Sequence, residues 1–192
     1  MKLSCSFLLL IFSFQLSLGQ YQNNDSITDF EFKDVSSNSN FVLNESKEDF
    51  IVLLFISNSC PFVDHYINRI KNLDSVYTEV KFILVNAYSK DRISENQNEM
   101  KSFVKKHQLQ LPYIKDENKK LVNLFGVEKL PEVYLLARSN GIFKLTYKGA
   151  IDDNPQSAKD VKTEYLKNAI DISINNKSQS NSGTHPIGCR VY

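Results

Sequence analysis

The chain has 192 residues, of which 42% are hydrophobic and 23% charged, and its formal net charge is +1. This is the composition of one ordinary globular domain, and it excludes a mainly disordered chain. Lys and Arg number 23 against 22 Asp and Glu, so the chain lacks the basic excess with which nucleic-acid-binding proteins neutralise phosphates. Six Gly and five Pro exclude collagen-like and low-complexity designs.

Residues 1–19 have the pattern of a cleaved secretory signal. Lys2 precedes an apolar run over 7–12, and no acidic residue occurs in this segment. The small residues Ser17 and Gly19 place the predicted cleavage after Gly19. The apolar stretch is marginal for a membrane-spanning helix of about 20 residues, which leaves an uncleaved anchor as the alternative. We therefore predict a secreted or periplasmic chain with no transmembrane segment after cleavage.

Signal cleavage would remove Cys5 and leave two cysteines, Cys60 and Cys189. In an oxidising compartment thiols form disulfides unless they are actively reduced. Two cysteines are too few for a disulfide scaffold, so they either serve chemistry or form a single tether.

The first half of the chain predicts an alternation of strand and helix. Short, continuously apolar runs are typical of strands buried on both faces, and such an alternation implies a parallel pair with a crossover. A polar leader over 20–40 comes first. The predicted elements are strands over 50–56 and 80–87 and helices over 61–77 and 94–107, the second helix with a possible capping box of Ser94 and Gln97.

The second half predicts an extended segment, a short helix, a hairpin and a final helix. The hairpin is indicated by Asn140-Gly141, the strongest short-range turn signal between two strand-like runs. A polar tail over 176–192 carries Cys189. The predicted elements are an extended segment over 111–113, a helix over 118–125 capped by Gly126, strands over 132–137 and 142–149, and a helix over 158–174.

Cys60 lies where a buried strand gives way to a helix that Pro61 begins. The free N–H groups and partial positive charge of a helix N-terminus stabilise a thiolate, so this position predicts a reactive cysteine. A buried, inert cysteine is the alternative, although Ser57, Asn58 and Ser59 make the surroundings polar.

The segments SNSCPF, after a buried strand, and KLPEVYLL, before a hairpin, resemble the thioredoxin-like superfamily. The segment KGAIDDNPQSAKDV, a final helix and the closing GCRVY resemble, more narrowly, its secreted or periplasmic AhpC/TSA (redoxin) class. The resemblance covers roughly residues 41–192. It implies an α/β fold of the thioredoxin-like three-layer α/β/α type, with a mixed central sheet and a domain over 41–175.

The resemblance also implies roles for individual residues. Cys60 matches the attacking cysteine of the thioredoxin motif, and Pro131 matches the cis-proline that receives extended substrate backbone. Leu130 stands before it, where Thr or Val is common in relatives. With Pro61 and Ser57, these residues form the predicted substrate-binding set.

The chain departs from the thioredoxin motif at Val63, where a second cysteine would stand. Any resolving thiol must then be Cys189. Three possibilities remain open: a redox-active Cys60–Cys189 pair, a permanent structural disulfide, and an unpaired or intermolecular Cys189. Closing a loop of about 130 residues would stabilise the fold by roughly 4 to 5 kcal/mol.

We expect thiol-disulfide exchange outside the cytoplasm, with a disulfide-containing protein as substrate and an external reductase. A thiol peroxidase acting on a small thiol or peroxide substrate is the first alternative, and Ser57 fills the hydroxyl position of its PxxxTxxC motif. Leu53, however, replaces the proline, and Arg69 and Arg138, which could replace the missing arginine, are expected to be solvated charges. A non-enzymatic binding module around Pro131 is the second alternative.

The remaining polar residues carry no separate function in this interpretation. Asp64 is expected to be an exposed helical acid, and His65 lacks an orienting group that would make it a base for Cys60. Asp152 and Asp153 are typical of turns. The three histidines show no metal spacing, so we expect no metal and no cofactor.

Overall fold

The computed structural model describes residues 20–88, 92–175 and 183–191. The predicted signal over 1–19 lies outside the described residues. Part of the predicted tail, 176–182, and Tyr192 lie outside them as well.

A mixed five-stranded sheet forms the centre of the molecule, as predicted. Its strand order is β5-β4-β3-β7-β8, in which β3, β4 and β5 run parallel to each other while β7 and β8 are antiparallel to their neighbours. The strands are β3 (Phe50–Ile56), β4 (Val80–Asn86), β5 (Tyr113–Lys115), β7 (Glu132–Ser139) and β8 (Ile142–Gly149). A hairpin of β1 (Glu31–Lys33) and β2 (Asn40–Val42) and a short pair of β6 (Lys129–Leu130) and β9 (Cys189–Arg190) lie outside this sheet.

The core lies on both faces of the central sheet. All six residues over 51–56 have 0% exposed surface, and since successive side chains of a strand point to opposite faces, both faces of β3 are covered. On one of them Phe55 packs against Phe125, with ring centroids 5.9 Å apart.

The helices are α1 (Pro61–Val76), α2 (Gln97–His107), α3 (Lys120–Phe125) and α4 (Tyr165–Ile174).

Three predicted elements differ from the structure. The extended segment predicted over 111–113 lies two residues later, at Tyr113–Lys115, where it is a strand of the sheet, β5. Helix α2 begins later than predicted, because the side chain of Asn96 accepts hydrogen bonds from Asn98 N and Glu99 N and thereby caps it. The predicted capping box of Ser94 and Gln97 is therefore wrong.

Helix α4 also begins later than the predicted residue 158. Residues 158–160 form a separate 3-10 turn. Asp153 then fixes Lys162 and Thr163 outside the helix. Its carboxylate accepts a hydrogen bond from Lys162 N at 2.9 Å, and its N–H donates to Thr163 O at 3.1 Å. Within the described ranges, no helix is long and apolar enough to cross a membrane.

Candidate active site around Cys60

Cys60 is the N-cap residue of α1 and follows β3 after the three-residue loop 57–59, as the strand-cysteine-proline pattern predicts. Pro61 occupies the first helical turn, and the Cys60 side chain makes no capping hydrogen bond. Only 3% of Cys60 is exposed. A sulfur at the N-terminus of a helix of 16 residues faces the positive end of the helix dipole, which favours the thiolate once the cysteine is reduced.

The loop before Cys60 is fixed by Glu95, a fully buried carboxylate. It accepts hydrogen bonds from Asn58 N at 2.9 Å and from Ser59 N and Ser59 Oγ at 3.1 and 2.6 Å. A further bond comes from Asn86 Nδ2 at 2.7 Å. Four donors offset the desolvation of the carboxylate. Glu95 is 35 residues away from Cys60 in sequence, and nothing in its local pattern distinguishes it from a surface acid.

Ser57 is buried beside Cys60, but its hydroxyl is engaged by Ser59. The Ser57 Oγ accepts from Ser59 N at 3.2 Å and lies 3.3 Å from Ser59 Oγ. Its predicted part in substrate binding stays a prediction.

The Leu130–Pro131 peptide bond is cis, and it brings the backbone of this loop to Cys60. The Leu130 carbonyl oxygen lies 3.5 Å from Cys60 Sγ. In the disulfide the sulfur carries no hydrogen, but a Cys60 thiol could donate to this carbonyl. The Leu130 side chain is fully buried, so its contribution to the site is its backbone.

Cys189 forms a disulfide with Cys60 across 129 residues of sequence, with the two Cα atoms 6.0 Å apart. The structure therefore contradicts an unpaired or intermolecular Cys189, and the redox-active pair and the permanent structural disulfide are the two alternatives that it leaves. The tail reaches this position as strand β9, which pairs antiparallel with β6 so that Cys189 lies opposite Leu130.

Further hydrogen bonds hold the tail on either side of the disulfide. After it, Val191 N donates to Glu128 O, and the Tyr88 hydroxyl donates to Arg190 O, both at 2.9 Å. Before it, the Thr184 hydroxyl oxygen accepts from Ala150 N at 2.8 Å.

Gly149 allows the tail to approach the end of β8 at Thr184. A Cβ at this position would overlap the Thr184 backbone and side chain, and its φ of 140° is one that L side chains rarely adopt. The Thr184 anchor therefore depends on a glycine in the neighbouring strand.

Glu132 is a second buried carboxylate, directly after Pro131 and 8% exposed. Its carboxylate accepts from Glu128 N at 3.3 Å. Burial raises the pKa of Glu132 to about 7. It lines a cleft of about 660 Å³ between the leader, β6 and the tail, whose other lining residues include Gln22, Lys129, Lys148 and Thr184. The sequence shows it only as the residue after the predicted cis-proline.

Both arginines considered for a peroxide site are engaged elsewhere, so the prediction that they are solvated charges is wrong. Arg69 forms an ion pair with Asp152 at 2.6 Å and lies over the Tyr66 ring. Arg138 donates to Ser46 O at 2.7 Å. Arg69 is nine residues beyond Cys60 on α1, about 13 Å along the axis.

The other polar candidates behave largely as ordinary structural residues. Asp64 is exposed and lies 3.0 Å from His107 Nε2, while His65 Nδ1 is 3.3 Å from Pro155 O. Asp152 accepts from Asn154 N, as expected of an acid in a turn. Among the described residues, no group of three or more His, Cys, Asp or Glu could hold a metal ion.

The mixed sheet, the cis-proline loop and the cysteine at the N-terminus of α1 define a thioredoxin-like protein. The structure of an uncharacterised conserved protein from Geobacillus kaustophilus matches this chain with a TM-score of 0.79 and 23% sequence identity, and the match covers 90% of this chain and 92% of that one. A hypothetical protein from Sinorhizobium meliloti matches this chain with a TM-score of 0.77 and 24% sequence identity, and the match covers 90% of this chain and 95% of that one. A secreted Mycobacterium tuberculosis disulfide oxidoreductase matches with a TM-score of 0.55 and 17% sequence identity, and the match covers 74% of this chain and 94% of that one.

The AhpC/TSA family profile matches residues 24–145, and the chain belongs to this family. The match includes Cys60 and Pro131 but ends before Cys189. Among curated proteins, none matches the chain.

The Glu95 network yields a direct prediction. In Glu95→Gln one of the two oxygens becomes an NH₂ group that faces donors, so we expect a loss of roughly 2 to 3 kcal/mol in the free energy of unfolding. Urea denaturation of the oxidised protein measures it. Glu99→Gln, an exposed acid four residues later, is the matched control and should change stability by less than about 0.5 kcal/mol. Equal effects of the two variants would contradict the role assigned to Glu95.

Glu132 makes stability depend on pH. Its folded-state pKa of about 7 lies above the ordinary 4.5, so the folded state binds more protons between these values and stability falls as pH rises through this window. At 1.36 kcal/mol per pKa unit the fall is at most roughly 3 kcal/mol. Glu132→Gln should remove this component in urea denaturation between pH 4.5 and 8.5. The exposed Glu128→Gln should leave the profile unchanged, and a Glu132→Gln profile parallel to that of the wild type would contradict the assignment.

Proposed function

We propose that this protein is a thiol-disulfide oxidoreductase that works outside the cytoplasm, with Cys60 as the attacking thiolate and Cys189 as the resolving thiol. The observation that carries the proposal is the disulfide between a cysteine at the N-terminus of α1 and a cysteine of the tail, beside the cis-Pro131 loop. Membership of the AhpC/TSA family and the thioredoxin-like fold support it.

The two cysteines have different surroundings, which assigns their order of reaction. Cys60 lies at the positive end of the α1 dipole, whereas Cys189 lies on a strand of two residues. The helix terminus lowers the pKa of a thiol and makes Cys60 the better thiolate. Val63, where thioredoxins have their second cysteine, is fully buried and offers no alternative.

The reaction consists of two exchange steps. The Cys60 thiolate attacks one sulfur of the substrate disulfide, so a mixed disulfide forms and the first substrate thiolate leaves. The Cys189 thiolate then attacks Cys60 Sγ, which releases the second substrate thiolate and forms the Cys60–Cys189 disulfide. Two electrons pass from the protein thiols to the substrate, and the leaving thiolates take up the two protons. An external dithiol reductase restores the starting state.

The proposed location has three supports. Residues 1–19 have the pattern of a secretory signal, and an intramolecular disulfide is typical of oxidising compartments. The M. tuberculosis structure of the same fold is described as secreted. An exported chain beginning at Gln20 is the expected product, and its intact mass tests this.

The two cysteine variants separate catalysis from structural tethering. Cys60→Ser and Cys189→Ser both lose the disulfide, so they lose the same cross-link and serve as controls for each other. We expect Cys60→Ser to reduce insulin disulfides no faster than dithiothreitol alone. Cys189→Ser should instead accumulate a mixed disulfide at Cys60, detectable by mass, and lose multiple turnover.

Two results would contradict the proposal. One is full reductase activity in Cys60→Ser. The other is rapid, thiol-dependent consumption of hydrogen peroxide through a sulfenic acid at Cys60, without disulfide exchange, which would indicate the peroxidase.

A further inference from the structure

The C-terminal tail lies in an extended conformation along the loop that precedes cis-Pro131. Strand β9 pairs antiparallel with β6, with Cys189 opposite Leu130 and Arg190 opposite Lys129. Val191 N continues the pairing by donating to Glu128 O at 2.9 Å. Backbone pairing of this kind is how extended peptides bind to sheet edges.

The bond between Cys60 and Cys189 is the same bond that a mixed disulfide with a substrate would contain. The tail therefore shows how an extended peptide lies on β6 while the cysteine of that peptide is joined to Cys60. The residues around the tail indicate which side chains each position of such a peptide can carry.

The position before the cysteine admits only glycine. A Cβ at Gly188 would overlap the carbonyl oxygen of Leu130, and that oxygen is 3.5 Å from Cys60 Sγ. This backbone is held by the pairing with β9 and by the full burial of the Leu130 side chain. A larger residue would thus displace either the peptide or the loop that faces Cys60.

The positions after the cysteine are less restricted. Arg190 is exposed, so the first position after the cysteine accepts varied side chains. Val191 is half-buried and packs against the core, which favours an apolar residue at the second position.

We propose that the tail is an internal mimic of the substrate, and that the substrates are extended polypeptide segments with the pattern glycine, cysteine, any residue, apolar residue. This inference rests on the proposed function and specifies its substrate class. Substrate and tail occupy the same edge of β6 in turn. Thr184 remains bound to Ala150 while the tail is displaced, and Cys189, five residues further on, can reach about 17 Å from this anchor.

The test uses the exported chain carrying Cys189→Ser and synthetic peptides with the sequence of residues 184–192, each joined at its cysteine to thionitrobenzoate. Attack by the Cys60 thiolate on the peptide sulfur forms the Cys60–peptide disulfide and expels thionitrobenzoate, the better leaving group, which is followed by its absorbance. The mass of the product shows which sulfur is attacked. Since the change is made in the peptide, folding of the protein is unaffected.

We expect the peptide with Gly188→Ala to react at least about tenfold more slowly than the unaltered peptide. The matched control is a peptide with Ile187→Ala, because Ile187 is 58% exposed, and it should react at the unaltered rate. Equal rates for the glycine and alanine peptides would overturn the inference while leaving the proposed function intact. If Cys60 fails to react even with the symmetric disulfide of thionitrobenzoate, which has no backbone to dock, the proposed function fails and the inference fails with it.

Discussion

The arrangement of the site depends on a single covalent bond between the N-terminus of α1 and the tail. Strand β9 has two residues, and so short a pairing is marginal by itself. The Cys60–Cys189 bond closes a loop of 129 residues, which by chain entropy stabilises the folded state by roughly 4 to 5 kcal/mol. The same bond joins Cys60, which is 3% exposed, to the tail.

Two buried carboxylates show how the site is held in place. Glu95 accepts four hydrogen bonds, three from the loop before Cys60 and one from β4, and therefore joins this loop to the sheet. Glu132, beside Pro131, accepts a long bond from Glu128 N, and burial raises its pKa to about 7. A carboxyl group whose pKa is raised to about 7 beside the cis-Pro131 loop makes the local charge there sensitive to pH.

Local signals in the sequence predicted the position of Cys60 at the N-terminus of α1. The apolar run of β3, the three polar residues 57–59, Cys60 and Pro61 follow one another in the sequence, so the position of the cysteine at a helix N-terminus follows from neighbouring residues alone. The cis geometry of Pro131 came from the family resemblance, because sequence alone gives a low prior for any cis proline. That Cys189 pairs with Cys60 became visible only once the tail was placed in space.

The features that the sequence did not predict depend on long-range contacts. Glu95, Arg69 and Arg138 are each ordinary charged residues in their local windows, and their partners lie about 35 to 90 residues away. The late start of α4 has a more local origin, because the Asp153 carboxylate accepts a hydrogen bond from Lys162 N, nine residues further along the chain. The need for glycine at Gly188, before Cys189, is visible only in the structure, because a Cβ there would overlap the carbonyl oxygen of Leu130.

The equilibrium between the Cys60–Cys189 disulfide and a glutathione redox buffer, followed by alkylation and mass mapping of the mature chain, tests the central claim most directly. A redox-active pair predicts a reduction potential above about −230 mV, in the range of exchange-active disulfides. A potential below about −300 mV would instead identify a permanent structural disulfide and contradict the assignment of Cys189 as the resolving thiol.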